Sequence, residues 1–205
     1  VTSSTCSSIS AMVGEDPIGT AATHERYLFV EVPLPWSYPI VTSQHVPQQL
    51  VQLLDEVGEN DLNIRFQAFT SDRPTSPDGF RKVFYFQKPA AAFARYAKQE
   101  FVIPEVELPG LAKQLIFTPE EAQSYRDYMV DSSQIRELFV CTHGAHDQCC
   151  GALGIPLYQQ LEEKYASPDQ LRVWRVSHLG GHRFAPTILD LPDGRFWARI
   201  ATEDL

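Results

Sequence analysis

Ten residues, "CTHGAHDQCC" (141–150), hold three of the chain's four cysteines and two of its six histidines. Thiolates and imidazoles are ligands for zinc and for iron–sulfur centres, so crowding them into one loop points to metal chemistry. A second segment, "SHLGGHRF" (177–184), carries His178 and His182 with three residues between them. Two neutral imidazoles at that spacing can converge on one metal. A helix would put them on one face, but Gly180 and Gly181 disfavour a helix here. Glycines instead let the backbone come close to a ligand and leave N–H groups free to point at sulfur.

These residues need elements that deliver them to one place. "ELFVCT" (137–142) reads as a buried strand ending at Cys141. "LGIPLYQQLEEKY" (153–165) reads as a helix with Leu153, Leu157 and Leu161 on one stripe, so Cys150 returns just before it. "LRVWRV" (171–176) is a strand that runs into the histidine loop, and "TILDLPDGRFWARI" (187–200) is a hairpin about a "PDG" turn. If the two strands are parallel neighbours, Cys141, Cys150, His178 and His182 all reach the same sheet edge, where α/β folds bind ligands.

The earlier part of the chain has a similar rhythm. "RYLFVEV" (26–32), "LNIRFQAF" (62–69) and "FRKVFYF" (80–86) read as strands, the last one after its own "PDG". "PQQLVQLLDEV" (47–57) reads as a helix with Leu50, Val51, Leu54 and Val57 on one face, stopping at Gly58. Thr118 with Glu121 three residues on is a capping-box pattern and predicts a helix over 118–130. Residues 87–117 give no clear pattern. Both halves thus read strand, loop, helix, strand, strand, as an internal duplication or as the ordinary alternation of α/β proteins. The fold class is α/β, with about 1–132 and about 133–205 packed as one unit.

Composition narrows the function classes. The 205 residues are 43% hydrophobic and 21% charged, an ordinary globular balance. A net charge of −9 argues against nucleic acid, whose phosphates need clustered Lys and Arg, and against anionic membrane surfaces. It favours a protein partner with a basic docking surface. No apolar run approaches the length of a membrane span and no signal-peptide pattern opens the chain, so the cytoplasm is expected. Four cysteines, two of them adjacent, are too few for a disulfide scaffold.

From spacing alone, an iron–sulfur cluster and a structural zinc remain open. H-x3-H suits a zinc finger's second half, but the eight residues between Cys141 and Cys150 exceed the two to four usual in its first half. A Rieske centre shares the "CTH" start, yet no C-x2-H follows. A thioredoxin-like thiol-redox protein, able to sense redox state, would want C-x-x-C at a helix start, which is absent. No carboxylate pair forms a recognisable sugar-hydrolase motif.

Together, "CTHG...D..CC", "SHLGGHRFAPT" and "LPDG..W.R" resemble the sucrase/ferredoxin-like family. Cys6-Ser7, Gly19-Thr20-Ala21 and Pro35-Trp36 look like that family's opening motifs, so the resemblance covers nearly the whole chain. It implies a thioredoxin-like ferredoxin fold, with Pro186 entering a hairpin strand. It also implies one [2Fe–2S] cluster held by Cys141, Cys150, His178 and His182, in a carrier that exchanges single electrons with a redox partner and turns over no substrate. The remaining residues have more modest expectations. Cys149 is a packed or reactive thiol turned away from Cys150. His143 either donates to a thiolate or caps the loop, and His146 has no assigned role. Asp147 is a turn residue or pairs with Arg183. Cys6 is structural, His24 and His45 are surface histidines, and Trp36, Trp174 and Trp197 are core or cover.

Overall fold

The computed structural model describes residues 5–91 and 95–200. A short helix, α1 (Cys6–Met12), precedes the first strand, β1 (Arg26–Glu31). Tyr27, Leu28, Phe29 and Val30 are all buried, as expected of a strand covered on both faces. Helix α2 (Gln48–Glu59) returns the chain to β2 (Ile64–Thr70), which lies parallel to β1 with Arg26 opposite Ile64. Strand β3 (Phe80–Gln87) pairs antiparallel on the other side of β1, and β4 (Ala97–Pro104) pairs antiparallel with β3. Helix α3 (Leu108–Phe117) and a two-residue edge strand, β5 (Met129–Val130), complete this half.

The second half repeats the order. Strand β6 (Arg136–Cys141), helix α4 (Gln148–Tyr165) and strand β7 (Leu171–Val176) form a parallel unit. Strand β8 (Thr187–Leu191) pairs antiparallel with β6, and β9 (Arg195–Ala198) with β8. The sheet runs β5-β4-β3-β1-β2-β7-β6-β8-β9. Each half therefore orders its strands second, first, third, fourth from a central seam, where β2 and β7 pair antiparallel with Phe69 opposite Val176. The two "PDG" turns are not copies of each other: 77–79 precedes β3, whereas 192–194 joins β8 to β9. The repeat lies in topology, not in that motif.

The sheet folds over at the seam. Strands β1 and β6 are three places apart, about 14 Å in a flat sheet. Yet the Phe29 and Phe139 rings stack with centroids 3.9 Å apart. Tyr27, Phe69, Phe84, Phe86 and Trp174 fill the same interior. Helices α2 and α3 cover the outer face of the first half, and α4 packs on Leu138, Val140, Val173 and Ile188 of the second. Within the fold, Glu100 and Glu137 are wholly buried and share Arg172, while Lys82 holds Glu100 at 2.8 Å and Lys98 holds Glu137 at 2.5 Å. This ionic cluster ties β3 and β4 to β6 and β7. Among the described residues, no helix is long and apolar enough to cross a membrane.

Several expectations need correction. Residues 118–130 do not form an α-helix: Pro119–Tyr128 is 3-10, followed by β5. The residues that pack there, Ala122, Tyr125 and Tyr128, recur every three positions, and a 3-10 turn stacks i over i+3. The Thr118 hydroxyl bonds the Glu121 carboxylate at 3.1 Å instead of capping the backbone. Helix α2 continues through Gly58 to Glu59 and buries Leu53 besides Leu50 and Val57. Helix α4 starts five residues before the expected 153, and Leu153 is 39% exposed, so the packed stripe is Gly154, Leu157, Tyr158 and Leu161. Residues 97–104 and 108–117, which had no clear pattern, are β4 and α3.

Candidate metal centre

Strands β6 and β7 are parallel neighbours with Cys141 opposite Val176, so both end at one edge and His178 follows two residues on. The chain then turns into α4 through Asp147, whose Oδ1 accepts the Cys149 N–H at 2.8 Å. This cap starts the helix at Gln148, which puts Cys150 inside the first turn rather than before it. The helix can approach the strand end because residue 154 is glycine: a Cβ there would lie 1.9 Å from the Cys141 carbonyl oxygen. Gly180 and Gly181, at φ +101° and +65°, take the left-handed turns that carry the loop from His178 to His182.

Cys141, Cys149 and Cys150 are buried, and none of the four cysteines is in a disulfide. Cys141 and Cys150 belong to the aromatic interior between the sheet halves, whereas Cys149 does not. His178 Nδ1 lies 3.5 Å from Cys150 Sγ and 4.0 Å from Cys141 Sγ, and these three donor atoms lie within 4.8 Å of one another. The Cys150 thiol, hydrogen-bonded to Cys141, holds the Cys141 thiol well below its usual range; burial opposes this, while His178 and the backbone N–H groups of Leu179 and His143 reinforce it. The same hydrogen bond, with burial, pushes Cys150 up. The hydrogen bond thus favours the anion on Cys141 and the thiol on Cys150.

His182 does not join that group. Its ring centroid is 6.0 Å from that of His178, and it clusters instead with Cys6 and Asp147, again within 4.8 Å. The sequence therefore brings three of its four expected ligands together and sets the fourth to one side. Cys6, expected to be structural, is exposed and stands in that second group. Asp147 is the α4 cap, and Arg183 pairs with Glu15 at 2.6 Å instead. Burial acts against the Asp147 anion, but the Cys149 N–H and side chain, together with the neighbouring His182 and His178 rings, outweigh it and keep the carboxyl below its ordinary value.

The first half builds much of the surrounding wall. The side chains of Arg65 and Gln67 on β2 donate to the His178 carbonyl at 3.2 and 3.3 Å. Ser177 Oγ donates to Gln67 Oε1 at 2.5 Å and accepts from the Ala68 N–H at 3.0 Å. His143 Nε2 lies 3.0 Å from the Ser37 carbonyl. A carbonyl only accepts, so Nε2 carries the proton and Nδ1 is an acceptor. That Nδ1 is buried without a partner. The His143 side chain is thus tied to the first half, and burial lowers its pKa. Only its backbone N–H serves the Cys141 sulfur.

His146, given no role by the sequence, stacks on His178 with centroids 3.7 Å apart and planes 15° from parallel. The Tyr38 ring meets His146 edge-on at 4.4 Å. Burial, then the His178 and His143 rings beside it, lower the His146 pKa. Two histidines in one loop gave some signal for this stack, but which of them would face His178 depends on the distant Tyr38 segment. His24 sits edge-on to Tyr27 and His45 is exposed, and neither belongs to the Cys/His groups. Trp36 and Trp174 are buried, while Trp197 is 40% exposed.

Buried unoxidised thiols, N–H groups directed at one of them and an imidazole nitrogen turned toward both make a receptor for a soft or borderline metal. Residues 17–205 match the family model described as sucrase/ferredoxin-like. Comparison with curated proteins and with solved structures gave no match. The match spans both halves of the sheet, the wall as well as the Cys/His loops, and the chain belongs to the sucrase/ferredoxin-like family.

Proposed function

We propose that this chain is an electron carrier in which Cys141, Cys150, His178 and His182 hold one [2Fe–2S] cluster. The observation that carries the reading is the spacing of the donors. Cys141, Cys150 and His178 fall within 4.8 Å of one another, and His182 stands outside that group. A single zinc, with sulfur at ~2.3 Å and nitrogen at ~2.0–2.1 Å, needs all four ligand atoms within about 4 Å of each other. A two-iron centre would take two protein ligands on each metal ion, so its four donors spread wider than those of a single zinc, and a histidine standing apart from the two sulfurs is compatible with it. The donor chemistry fits as well: the sulfurs are reduced, buried and hydrogen-bonded.

When bound, the cluster supplies a one-electron couple. The chain does the rest. The Leu179 and His143 N–H groups stabilise negative charge on the Cys141 sulfur. The Phe-rich interior beneath Cys141 and Cys150 excludes water. His178 turns Nδ1 to the sulfurs, which leaves Nε2 as the atom where a proton is held or released. The His146 ring fixes the plane of that imidazole.

The proposed fold is thioredoxin-like in each half, with strand order second, first, third, fourth, and the two halves act as one unit because β2 seats the His178 loop. The net charge of −9 favours a redox partner with a basic docking face. The free cysteines suit a reducing compartment, which we take to be the cytoplasm. The ligand assignment is tested by iron, sulfide and visible absorbance in single variants. Cys141→Ala and Cys150→Ala should each lose the cluster and Cys149→Ala should keep it. Loss in Cys149→Ala with retention in Cys150→Ala would reverse the assignment.

A further inference from the structure

The segment before β1 ends beside the second histidine. Helix α1 lies on the loop that follows His182 and is pinned there by long-range polar contacts. Ser7 Oγ donates to the Ala185 carbonyl at 3.2 Å, and Arg199 donates to Ser10 Oγ at 2.6 Å. Arg183 pairs with Glu15 at 2.6 Å, and Ser10 Oγ also donates to Glu15 at 2.7 Å. These contacts deliver an exposed thiol, Cys6, to a site made by two other segments. Cys6 Sγ, an Asp147 carboxylate oxygen and a His182 ring nitrogen lie within 4.8 Å of one another.

Thiolate, carboxylate and imidazole are the three side-chain donors that zinc uses, and three protein ligands with one open position is a recurring zinc arrangement. One thiolate and one carboxylate also neutralise a divalent ion. Arg183 is taken by Glu15, and among the described residues Asp147 makes no ion pair with Lys or Arg. Capping α4 occupies Asp147 Oδ1. A carboxylate has a second oxygen to offer a cation. Cys6 is exposed, so a small rotation of its side chain can bring the donors to tetrahedral spacing and leaves the fourth position to water.

We propose that Cys6, Asp147 and His182 bind one zinc-class divalent ion, and that this ion competes with the iron–sulfur cluster for the His182 imidazole. The binding site stands without the cluster reading; only the competition rests on it. The N-terminal segment then acts as a holder for His182: zinc in the trio withdraws that imidazole from the cluster site, and cluster assembly takes it back.

Alkylation of Cys6 by iodoacetamide, followed by mass spectrometry with and without zinc, tests the site in the full chain. Cys149, buried at 3% exposure, is the folding reference in the same spectrum. In cluster-free protein, zinc at about ten times its dissociation constant should slow Cys6 alkylation about tenfold, the factor 1 + [L]/Kd. Asp147→Asn should abolish that protection, since Asn still caps the helix but does not bring the charge. Cluster-loaded protein should show little protection. Equal protection in wild type and Asp147→Asn, or none in wild type, would overturn the site. Equal protection in loaded and cluster-free protein would overturn the competition. A second readout does not depend on alkylation: equimolar zinc should slow cluster reconstitution in wild type more than in Cys6→Ser, and equal slowing in both would refute the proposal. If the protein never carries iron and sulfide, the alkylation result still decides the zinc site alone.

Discussion

Acid should weaken the ionic cluster that joins the halves, and Glu100 is where the effect can be measured. Its carboxylate is wholly buried, bonded by Arg172 at 2.5 Å and by Lys82 at 2.8 Å. Burial opposes the anion, but the Arg172 hydrogen bond and the Lys82 and Arg172 charges outweigh it and hold the pKa down to about 2. The unfolded chain protonates it near 4.5. The folded value is the depressed one, so the unfolded state binds more protons, and the stabilisation is full above 4.5 and lost as pH falls toward 2. The gap of about 2.5 units, at 1.36 kcal/mol per unit, is worth about 3 kcal/mol. Glu100→Gln removes this dependence, and at neutral pH it costs about 3–5 kcal/mol by leaving Arg172 and Lys82 under-compensated. Urea unfolding at a series of pH values from 7 to 3, read by Trp174, whose Nε1 donates to Glu137 at 2.6 Å, compares the two proteins. The wild type should lose its advantage over Glu100→Gln progressively below pH 4.5. Acid-labile groups outside the Arg172 cluster contribute equally to both proteins and cancel in the difference. Parallel loss of stability in the two proteins across this range would refute the reasoning.

The close seat of α4 against β6 gives a second test. Gly154→Ala puts a Cβ into the Cys141 carbonyl and should cost about 1–3 kcal/mol, with iron content falling as Cys150 is pushed off register; unchanged iron per folded chain would contradict this geometry. Histidine ligation predicts proton-coupled reduction, because added negative charge favours protonation at the ring nitrogen that does not bind metal. The potential should therefore fall as pH rises, approaching about 59 mV per pH unit for one proton per electron, and voltammetry with a flat response through the imidazole range would count against His178 and His182 as ligands. Replacing either histidine with Cys brings a thiolate charge, so the potential should drop toward that of all-cysteine ferredoxins, roughly −400 mV; an unchanged potential would argue that the replaced histidine is not a ligand.

Local pattern made part of this site legible. Cys141, His178 and the parallel strands behind them follow from alternating apolar residues and from the right-handed crossover that brings parallel strand ends to one edge. The apolar stripe alone puts Cys150 before the helix, whereas the Asp147 cap starts α4 at Gln148, five residues before Leu153. The 3-10 segment resembles an α-helix in sequence because good helix formers surround packed residues that recur every three positions. Residues whose role depends on contacts across the fold stayed hidden. His146 faces His178, with Tyr38 edge-on from the first half. Gln67 matters because β2 pairs with β7 at the seam. Cys6 reaches His182 only because α1 is pinned to the Ala185 loop. No periodicity within a segment encodes contacts between positions more than 100 residues apart.

The central claim is that a two-iron cluster occupies the Cys141–Cys150–His178–His182 site, and metal stoichiometry tests it most directly. Iron, acid-labile sulfide and zinc are quantified on one anaerobically purified sample of the full chain. The account predicts about two irons and two sulfides per chain, as the [2Fe–2S] assignment requires. One zinc per chain with neither iron nor sulfide would contradict it.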